Sequence, residues 1–120
     1  MNAKYLFLEY PKCSTCRNAK KWLDEQGIVY EDRHIVDHHP SAAELKSWIG
    51  QSKLPLKNFF NTSGLVYKSL QLKDKLPGMT EEEQIELLAS DGKLIKRPLL
   101  ISDEQVLVGF KPGEWNDKVK

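Results

Sequence analysis

Residues 4–36 read "KYLFLEYPKCSTCRNAKKWLDEQGIVYEDRHIV", and the pattern of this stretch decides the fold. The run 4–10 is apolar and aromatic over the length of a strand. Residues 14–27 place apolar side chains at the i, i+3 and i+4 spacing of a helix and end on a glycine, a common helix stop. Residues 28–36 are rich in β-branched and aromatic residues, as strands are. A strand, a helix and a strand in this order predict two parallel strands joined by a right-handed crossover.

The middle of the chain predicts helices. "SAAE" at 41–44 and "TEEE" at 80–83 each match a capping box, in which Ser or Thr and a Glu three residues later satisfy the first turn of a helix. We expect the first of these helices to end at Gly50 and the second at Gly92. Residues 53–79 are the least regular stretch, and we expect short helical pieces around a turn there.

The last part of the chain predicts a hairpin and a final helix. Two apolar runs, Leu99–Ile101 and Val106–Val108, flank turn-forming residues and are expected to pair as antiparallel strands. Residues 111–120 predict a short helix. Together with the first stretch, this order predicts an α/β fold with one mixed sheet of about four strands flanked by helices. Since 120 residues is the usual size of one domain, we expect a single domain over residues 1–120.

Composition excludes several classes of protein. The formal net charge is +1, which gives no general attraction for nucleic acid or an anionic membrane. No apolar run is long enough to cross a bilayer, and residues 1–10 lack the layout of a signal peptide. We therefore expect a cytoplasmic protein with no direct nucleic-acid or membrane partner.

The two cysteines of the chain are Cys13 and Cys16, between the first predicted strand and its helix. A Cys-x-x-Cys pair in this setting is typical of a redox motif. The first turn of a helix has unpaired N–H groups and a positive dipole end, and Lys12 and Arg17 add positive charge nearby. Such a setting lowers the pKa of a cysteine and makes it a nucleophile. Cys16, about one helical turn later, is placed to resolve a mixed disulfide formed at Cys13.

Two other interpretations of the cysteines are weaker. A structural zinc site needs four ligands, of which this motif supplies two, and His34, His38 and His39 would complete it only by chance of folding. Two inert thiols acting as small hydrophobic residues are also compatible with the spacing. We predict neither a metal nor a cofactor, because thiols of a cytoplasmic protein are kept reduced and more often serve chemistry than structure.

"KRPLL" at 96–100 is the second informative motif. Proline is tolerated at the first residue of a strand, where Pro98 stands. Arg97 carries a fork of donors suited to an anion, although a surface arginine at a strand end is an equally good interpretation of this motif alone.

Four stretches together resemble a known family. "YPKCSTCRNAKKWL" (10–23), "FFNTSGLVYKSL" (59–70), "KRPLL" (96–100) and "VLVGFKPGEW" (106–115) occur in the order found in the arsenate reductase-like (ArsC/Spx/MgsR) family of the thioredoxin-like superfamily. That family includes glutaredoxin-coupled arsenate reductases and Spx-type redox regulators. The resemblance covers essentially the whole chain and implies a thioredoxin-like fold with a helical insertion over about 41–92.

The resemblance also implies roles for individual residues. Cys13 would be the reactive thiol, Pro98 a cis-proline facing it, and Arg97 a ligand for an oxyanion or for the thiolate. Substrate- or thiolate-stabilising positions are then Lys12, Ser14, Thr15, Arg17, Asn61, Pro98 and Lys111. Arsenate reductases of this type resemble the chain less at Asn61 and Lys111, where they carry arginines, so the pattern argues against arsenate itself. The presence of Cys16 implies an intramolecular Cys13–Cys16 disulfide, as in the Spx-type branch.

Three functions follow from these observations. The first is a cytoplasmic thiol–disulfide oxidoreductase that is recycled by glutaredoxin, thioredoxin or a low-molecular-weight thiol. The second is a redox-sensing regulator that acts by contact with RNA polymerase, since an exposed low-pKa cysteine pair also suits a switch. The third is a thioredoxin-like binding module without catalysis, because a fold does not fix a function.

Overall fold

The computed structural model describes residues 4–119, in which one mixed sheet is flanked by helices. Its strands are β1 (Tyr5–Glu9), β2 (Tyr30–His34), β3 (Leu99–Ile101) and β4 (Val106–Val108). Their order across the sheet is β2-β1-β3-β4. β1 runs parallel to β2, while β3 is antiparallel to both β1 and β4. The predicted mixed sheet of four strands is therefore confirmed.

The helices follow the predicted order. They are α1 (Ser14–Glu25), α2 (Ala42–Ser52), α3 (Leu65–Ser69), α4 (Leu72–Lys75), α5 (Glu81–Ser90) and α6 (Pro112–Lys118). Short 3-10 turns occupy Leu56–Phe59, Leu76–Gly78 and Gly92–Leu94. Apart from one isolated bridge, the regular structure between β2 and β3 is thus helical, but the extent of an insertion over about 41–92 and the single-domain assignment stay predictions. The predicted last helix also included residue 120, which lies outside the described residues.

The sheet is buried on both faces, which fixes where β1 and α1 lie. Phe7 and Leu100 face α1, where they pack with Leu23 and Trp115, and all four side chains are fully buried. On the other face Leu8 and Leu99 pack against residues of α2 and α5. Neighbouring residues of a strand therefore enter different cores, as the two-residue period of a strand requires. β1 therefore lies between the two cores, and α1 packs on one of them.

Both predicted capping boxes are present. Ser41 Oγ accepts the Glu44 N–H at 3.1 Å, and Glu44 Oε1 accepts the Ser41 N–H at 3.0 Å. Thr80 and Glu83 make the same reciprocal pair at the start of α5. Each box satisfies two N–H groups that the first turn of a helix would otherwise leave unpaired.

The prediction that Gly50 ends its helix is wrong. α2 continues through Gly50 to Ser52, and the residue after it, Lys53, adopts a left-handed conformation with φ 59°. The Ser52 hydroxyl donates to the Ile49 carbonyl at 2.8 Å and accepts the Leu54 N–H at 3.1 Å. This side chain, and not a glycine, closes the helix, which the sequence pattern did not reveal.

Two other predicted glycine stops have different outcomes. Gly27, with φ +68°, follows α1 as the sequence predicts. α5 ends at Ser90, two residues before the predicted Gly92. Gly92 instead begins a 3-10 turn that lies directly on the backbone of Ile35, where a Cβ atom would collide with the Ile35 carbonyl oxygen. Close backbone approach is therefore the reason for a glycine here.

Among residues 4–119, no helix combines the length and the apolar character that crossing a membrane demands.

Candidate active site

Cys13 is the N-cap residue of α1. Its backbone is extended (φ −87°, ψ 121°), and its N–H donates to the Tyr10 carbonyl at 2.9 Å. The side chain is partly exposed and lies at the first turn of α1, where helical N–H groups lack partners within the helix. Burial by itself raises the pKa of this thiol, but hydrogen bonds from the backbone and thiol of Cys16, together with the Arg97 guanidinium, outweigh burial and lower the pKa. Cys13 is therefore the more easily ionised thiol.

Cys16 has the opposite environment one turn later. Its side chain is fully buried, and its sulfur accepts the Tyr10 N–H at 3.5 Å. Burial, opposed by the Tyr10 N–H and assisted by the neighbouring Cys13 thiolate, raises the pKa of Cys16 to about 12. Both cysteines are free thiols. Cys16 is thus a protonated donor beneath Cys13 that solvent does not reach.

Arg97 is the cation next to Cys13. It lies in the segment before β3, and its guanidinium stacks over the Tyr10 ring at 4.8 Å from the ring centre. One of its nitrogens donates to the Lys93 carbonyl at 3.4 Å. These contacts leave the other donors of the guanidinium fork directed to the Cys13 thiolate or to an anion beside it. The peptide bond between Arg97 and Pro98 is cis, as the family resemblance implies.

The predicted site residues divide into two groups. Cys13, Thr15, Asn61, Arg97 and Lys111 line one cleft of about 1240 Å³. The remaining predicted site residues are not among the described residues that line the cleft. Lys12 and Ser14 are exposed, Arg17 donates to the Pro11 carbonyl at 3.1 Å, and Cys16 and Pro98 are buried behind the cleft wall.

A short bridge carries Asn61 to the cleft. Phe60 and Ile95 form an isolated antiparallel bridge, and the Asn61 N–H donates to the Leu94 carbonyl at 2.8 Å. The segment before α3 is thereby fixed beside the segment that carries Arg97. Because this pairing joins residues more than thirty positions apart, only the family resemblance pointed to Asn61, and no local pattern did.

Tyr10 is a site residue that sequence reasoning missed. Its N–H donates to Cys16, its carbonyl accepts the N–H of Cys13, and its ring supports Arg97. The ring also contacts the His34 imidazole at a centroid distance of 5.8 Å. Its place at the end of a strand and just before the cysteine motif was visible, but nothing in the pattern showed that one residue would contact all three functional groups.

Glu9 forms a second unpredicted feature, at the end of β1. It is 3% exposed, and its Oε2 atom has no hydrogen bond, although Lys20 Nζ lies 3.4 Å away. Lys20 bonds Asp32 instead, at 2.8 Å. Burial, and then the neighbouring Asp32, raise the pKa of Glu9 to about 7. Lys20 follows Cys16 by one turn of α1, so the lysine that approaches Glu9 and Asp32 lies on the same face of the helix as Cys16.

The three histidines take no part in the cleft. His34 Nδ1 accepts the N–H groups of Val36 and Asp37, at 3.2 and 3.0 Å. His38 and His39 are exposed in the loop that follows. In the part of the chain that the structure describes, no three of the His, Cys, Asp and Glu side chains cluster as metal ligands would.

Comparisons with known sequences agree with this geometry. A model of the ArsC family matches residues 8–117. YusI from Bacillus subtilis strain 168 is 55% identical over 111 residues, which cover 92% of this chain and 94% of that protein. The regulatory protein MgsR from the same organism is 32% identical over 114 residues, covering 95% of this chain and 89% of MgsR.

Solved structures share the whole fold. An ArsC family related protein from Bacteroides fragilis superposes with a TM-score of 0.94 at 62% identity and covers 98% of both chains. A possible arsenate reductase from Streptococcus mutans UA159 superposes with a TM-score of 0.88 at 45% identity, covering 96% of this chain and 99% of that one. Because the family model matches residues 8–117 and these relatives match nearly the whole chain, the chain belongs to the ArsC family.

Proposed function

We propose that this protein is a thiol–disulfide oxidoreductase in which Cys13 is the nucleophile and Cys16 the resolving thiol. The observation that carries the proposal is the contrast between the two sulfurs. Cys13 opens onto a cleft with its pKa lowered, next to Arg97, while Cys16 is buried and protonated one helical turn away. A low-pKa thiolate with a second thiol in reach is the arrangement that disulfide exchange requires.

The reaction has two exchange steps. The Cys13 thiolate attacks one sulfur of a substrate disulfide, a bond forms between the two sulfurs, and the other substrate sulfur leaves with the electron pair as a thiolate. Cys16 then attacks the Cys13 sulfur, which forms the Cys13–Cys16 disulfide and releases the second substrate sulfur as a thiol, because the leaving sulfur takes up the Cys16 proton. The substrate is reduced by two electrons and the cysteine pair is oxidised. A glutaredoxin, a thioredoxin or a low-molecular-weight thiol of the cytoplasm returns the pair to the dithiol.

Burial of Cys16 gives this reaction its order. A thiol with no exposed surface cannot meet a substrate disulfide in solution, but it can reach the sulfur of Cys13 through the hydrogen bond that joins them. Cys16 therefore acts only after Cys13 has reacted. This order prevents the resolving thiol from forming mixed disulfides of its own.

The cleft favours a disulfide over arsenate as the substrate. Asn61 and Lys111 line it together with Arg97. A neutral amide and a single ammonium group do not reproduce the paired donors with which a guanidinium binds a tetrahedral oxyanion. We accordingly propose that arsenate turnover with glutathione and glutaredoxin is absent or slow.

A redox-sensing regulator is the second candidate. MgsR is similar over 95% of this chain, and the global transcriptional regulator Spx of Enterococcus faecalis is 29% identical over 87% of it. In this candidate the Cys13–Cys16 disulfide changes a contact with RNA polymerase. The Cys13 thiolate, whose pKa is lowered, would then report an oxidant instead of reducing a substrate, with Cys16 completing the disulfide.

The reduction potential of the cysteine pair separates the two candidates. A value near about −270 mV suits a reductase, and a markedly higher value suits an oxidation sensor. The same protein is assayed for reduction of hydroxyethyl disulfide with glutaredoxin or thioredoxin as the recycling system. We expect turnover that disappears in Cys13→Ala. If there is no turnover and the reduction potential is high, the regulator is favoured over the enzyme.

A further inference from the structure

The cleft beside Cys13 is far more positive than the chain as a whole. The whole chain has a net charge of +1, but one side chain that lines the cleft, Glu114, is acidic and six are basic. The basic residues are Lys57, Lys93, Lys96, Arg97, Lys111 and Lys118. None of these six forms an ion pair with a carboxylate of residues 4–119. Unpaired charges of one sign in a concave surface focus the field into it and attract the opposite sign.

The cleft is also larger than a site for a small anion. Its volume of about 1240 Å³ exceeds the range of roughly 300–1,000 Å³ that is usual for small-molecule pockets. Two exposed apolar side chains, Leu54 and Leu65, line it with the lysines, and Leu65 is 85% exposed. Apolar side chains that lie among the lysines are better suited to contact a polypeptide than an inorganic ion.

One wall of the cleft is a strand edge. β4 is the outermost strand of the sheet, and its residues line the cleft. Ser102 donates to the Gln105 carbonyl and Gly109 donates to the Pro98 carbonyl, so these residues of the β4 hairpin face β3. Because an antiparallel ladder alternates, the backbone N–H and C=O groups of Val108, which is only partly buried, point away from β3, toward the outer edge of the sheet. Such an edge can pair with an extended segment of another chain.

We propose that this cleft binds an extended acidic segment of a partner protein and brings a disulfide in that segment to Cys13. The inference rests on the proposed function, since it names the class of substrate for the same nucleophile. Charge complementarity selects the acidic segment, the volume and exposed leucines select a polypeptide, and the strand edge selects an extended conformation.

Equilibrium binding tests the docking without any chemistry. Three fluorescent peptides that contain no cysteine are compared by anisotropy. They are an extended peptide that alternates Glu and Thr, the same peptide with Lys in place of Glu, and the tripeptide Glu-Ser-Glu. At low salt we expect the long acidic peptide to bind at least about tenfold more tightly than the other two, and added salt to reduce the difference. Equal binding of the long acidic and basic peptides, or of the long and short acidic ones, would overturn the proposal.

Charge reversal in the cleft gives a matched control. The double variant Lys57→Glu and Lys118→Glu changes two cations that line the cleft, and Lys46→Glu with Lys73→Glu changes two exposed cations outside it by the same net charge. We expect the first pair to abolish the preference for the acidic peptide and the second to retain it. Equal loss in both pairs would mean a general charge effect and would contradict the proposed site.

Reaction of the protein with 2,2′-dithiodipyridine, which is uncharged, separates the two hypotheses. If Cys13 does not react with it, the proposed function fails, whatever the peptides show. If Cys13 reacts but the peptides are not distinguished, the function stands and the acidic-segment inference fails.

Discussion

The rim and the interior of the active site contain the same chemical group in opposite states. At the rim, Cys13 faces the cleft, and Cys16 and Arg97 stabilise its thiolate. In the interior, burial keeps Cys16 protonated and raises the pKa of Glu9 to about 7. Three positions along the chain separate a thiol with a lowered pKa from a thiol with a raised pKa. The comparison teaches that the two pKa values differ because Cys16 is buried, while Cys13 receives hydrogen bonds from Cys16 and lies beside the Arg97 cation.

The largest expected effect is a difference in alkylation between the two thiols. At neutral pH we expect iodoacetamide to modify Cys13 at least about a hundredfold faster than Cys16, because only the thiolate is nucleophilic. Mass spectrometry of proteolytic peptides measures both rates in the same sample, and modification in denaturant serves as the control in which both react. Faster modification of Cys16 would reverse the two roles.

Removing the Arg97 guanidinium at the rim should reduce the difference in reactivity between Cys13 and Cys16. We expect Arg97→Ala to raise the pKa of Cys13 and to slow its alkylation near neutral pH by about tenfold, which corresponds to roughly one pKa unit. Arg97→Lys should fall between the two, since it keeps the charge and loses the fork. The dependence of the alkylation rate on pH gives the pKa, with Lys21→Ala, an exposed cation of α1, as the control. An unchanged profile in Arg97→Ala would show that the hydrogen bonds from Cys16 lower the pKa without help from Arg97.

The buried carboxyl of Glu9 should make the stability of the fold depend on pH. The pKa of Glu9 is about 7 in the folded chain against an ordinary 4.5, so the folded state holds this proton more tightly than the unfolded state. Its contribution to stability is therefore present at low pH and is lost as pH rises from about 4.5 to about 7. The lowered pKa of Asp32 acts oppositely, since its contribution is lost as pH falls through that pKa.

Glu9→Gln removes the proton that titrates while keeping the shape of the side chain. Above pH about 7, we expect the variant to be more stable than the parent by about 2 kcal/mol, because an unsatisfied buried oxygen loses its charge. Urea unfolding at several pH values measures the effect, and Glu25→Gln, an exposed carboxyl of α1, is the control. If Glu9→Gln loses as much stability between low and neutral pH as the parent does, the pH dependence of stability comes from another group.

The smallest expected effect comes from a helix cap remote from both regions. Thr80→Ala removes the capping box of α5 and should reduce the free energy of unfolding by about 1 kcal/mol. The alkylation rate of Cys13 should stay unchanged, since stability and reactivity have separate origins in this fold. A parallel change in both would mean that the rim depends on the packing of α5.

Local sequence patterns predicted the last two strands and the start of the helix at the cysteine motif. The strands Leu99–Ile101 and Val106–Val108 lie where the apolar runs predicted them, and Cys13 begins α1 as its place before a helical pattern indicated. These features depend on neighbours in sequence, which patterning reports well. The helix stop at Gly50 failed because Ser52 supplied the cap.

The opposite wall of the cleft could not be predicted in this way. Lys93 and Lys111 reach the same space from separate elements, and Asn61 arrives there through its bond to Leu94. Nor did the sequence mark Glu9 as buried, because a charged residue at the end of a strand is usually solvated. Such properties arise from tertiary contacts between distant segments, and the family resemblance supplied only the identity of some positions.

The stoichiometry of thiol release tests the central claim most directly. The reduced protein and Cys16→Ala are each treated with a small excess of 2,2′-dithiodipyridine, and released pyridine-2-thione is measured against protein. For the parent we predict two equivalents and a Cys13–Cys16 disulfide in the peptide map, because Cys16 displaces the pyridyl group from Cys13. For Cys16→Ala we predict one equivalent and a stable adduct on Cys13. A parent protein that stops at one equivalent, with the pyridyl adduct still on Cys13, would contradict the role of Cys16 as resolving thiol.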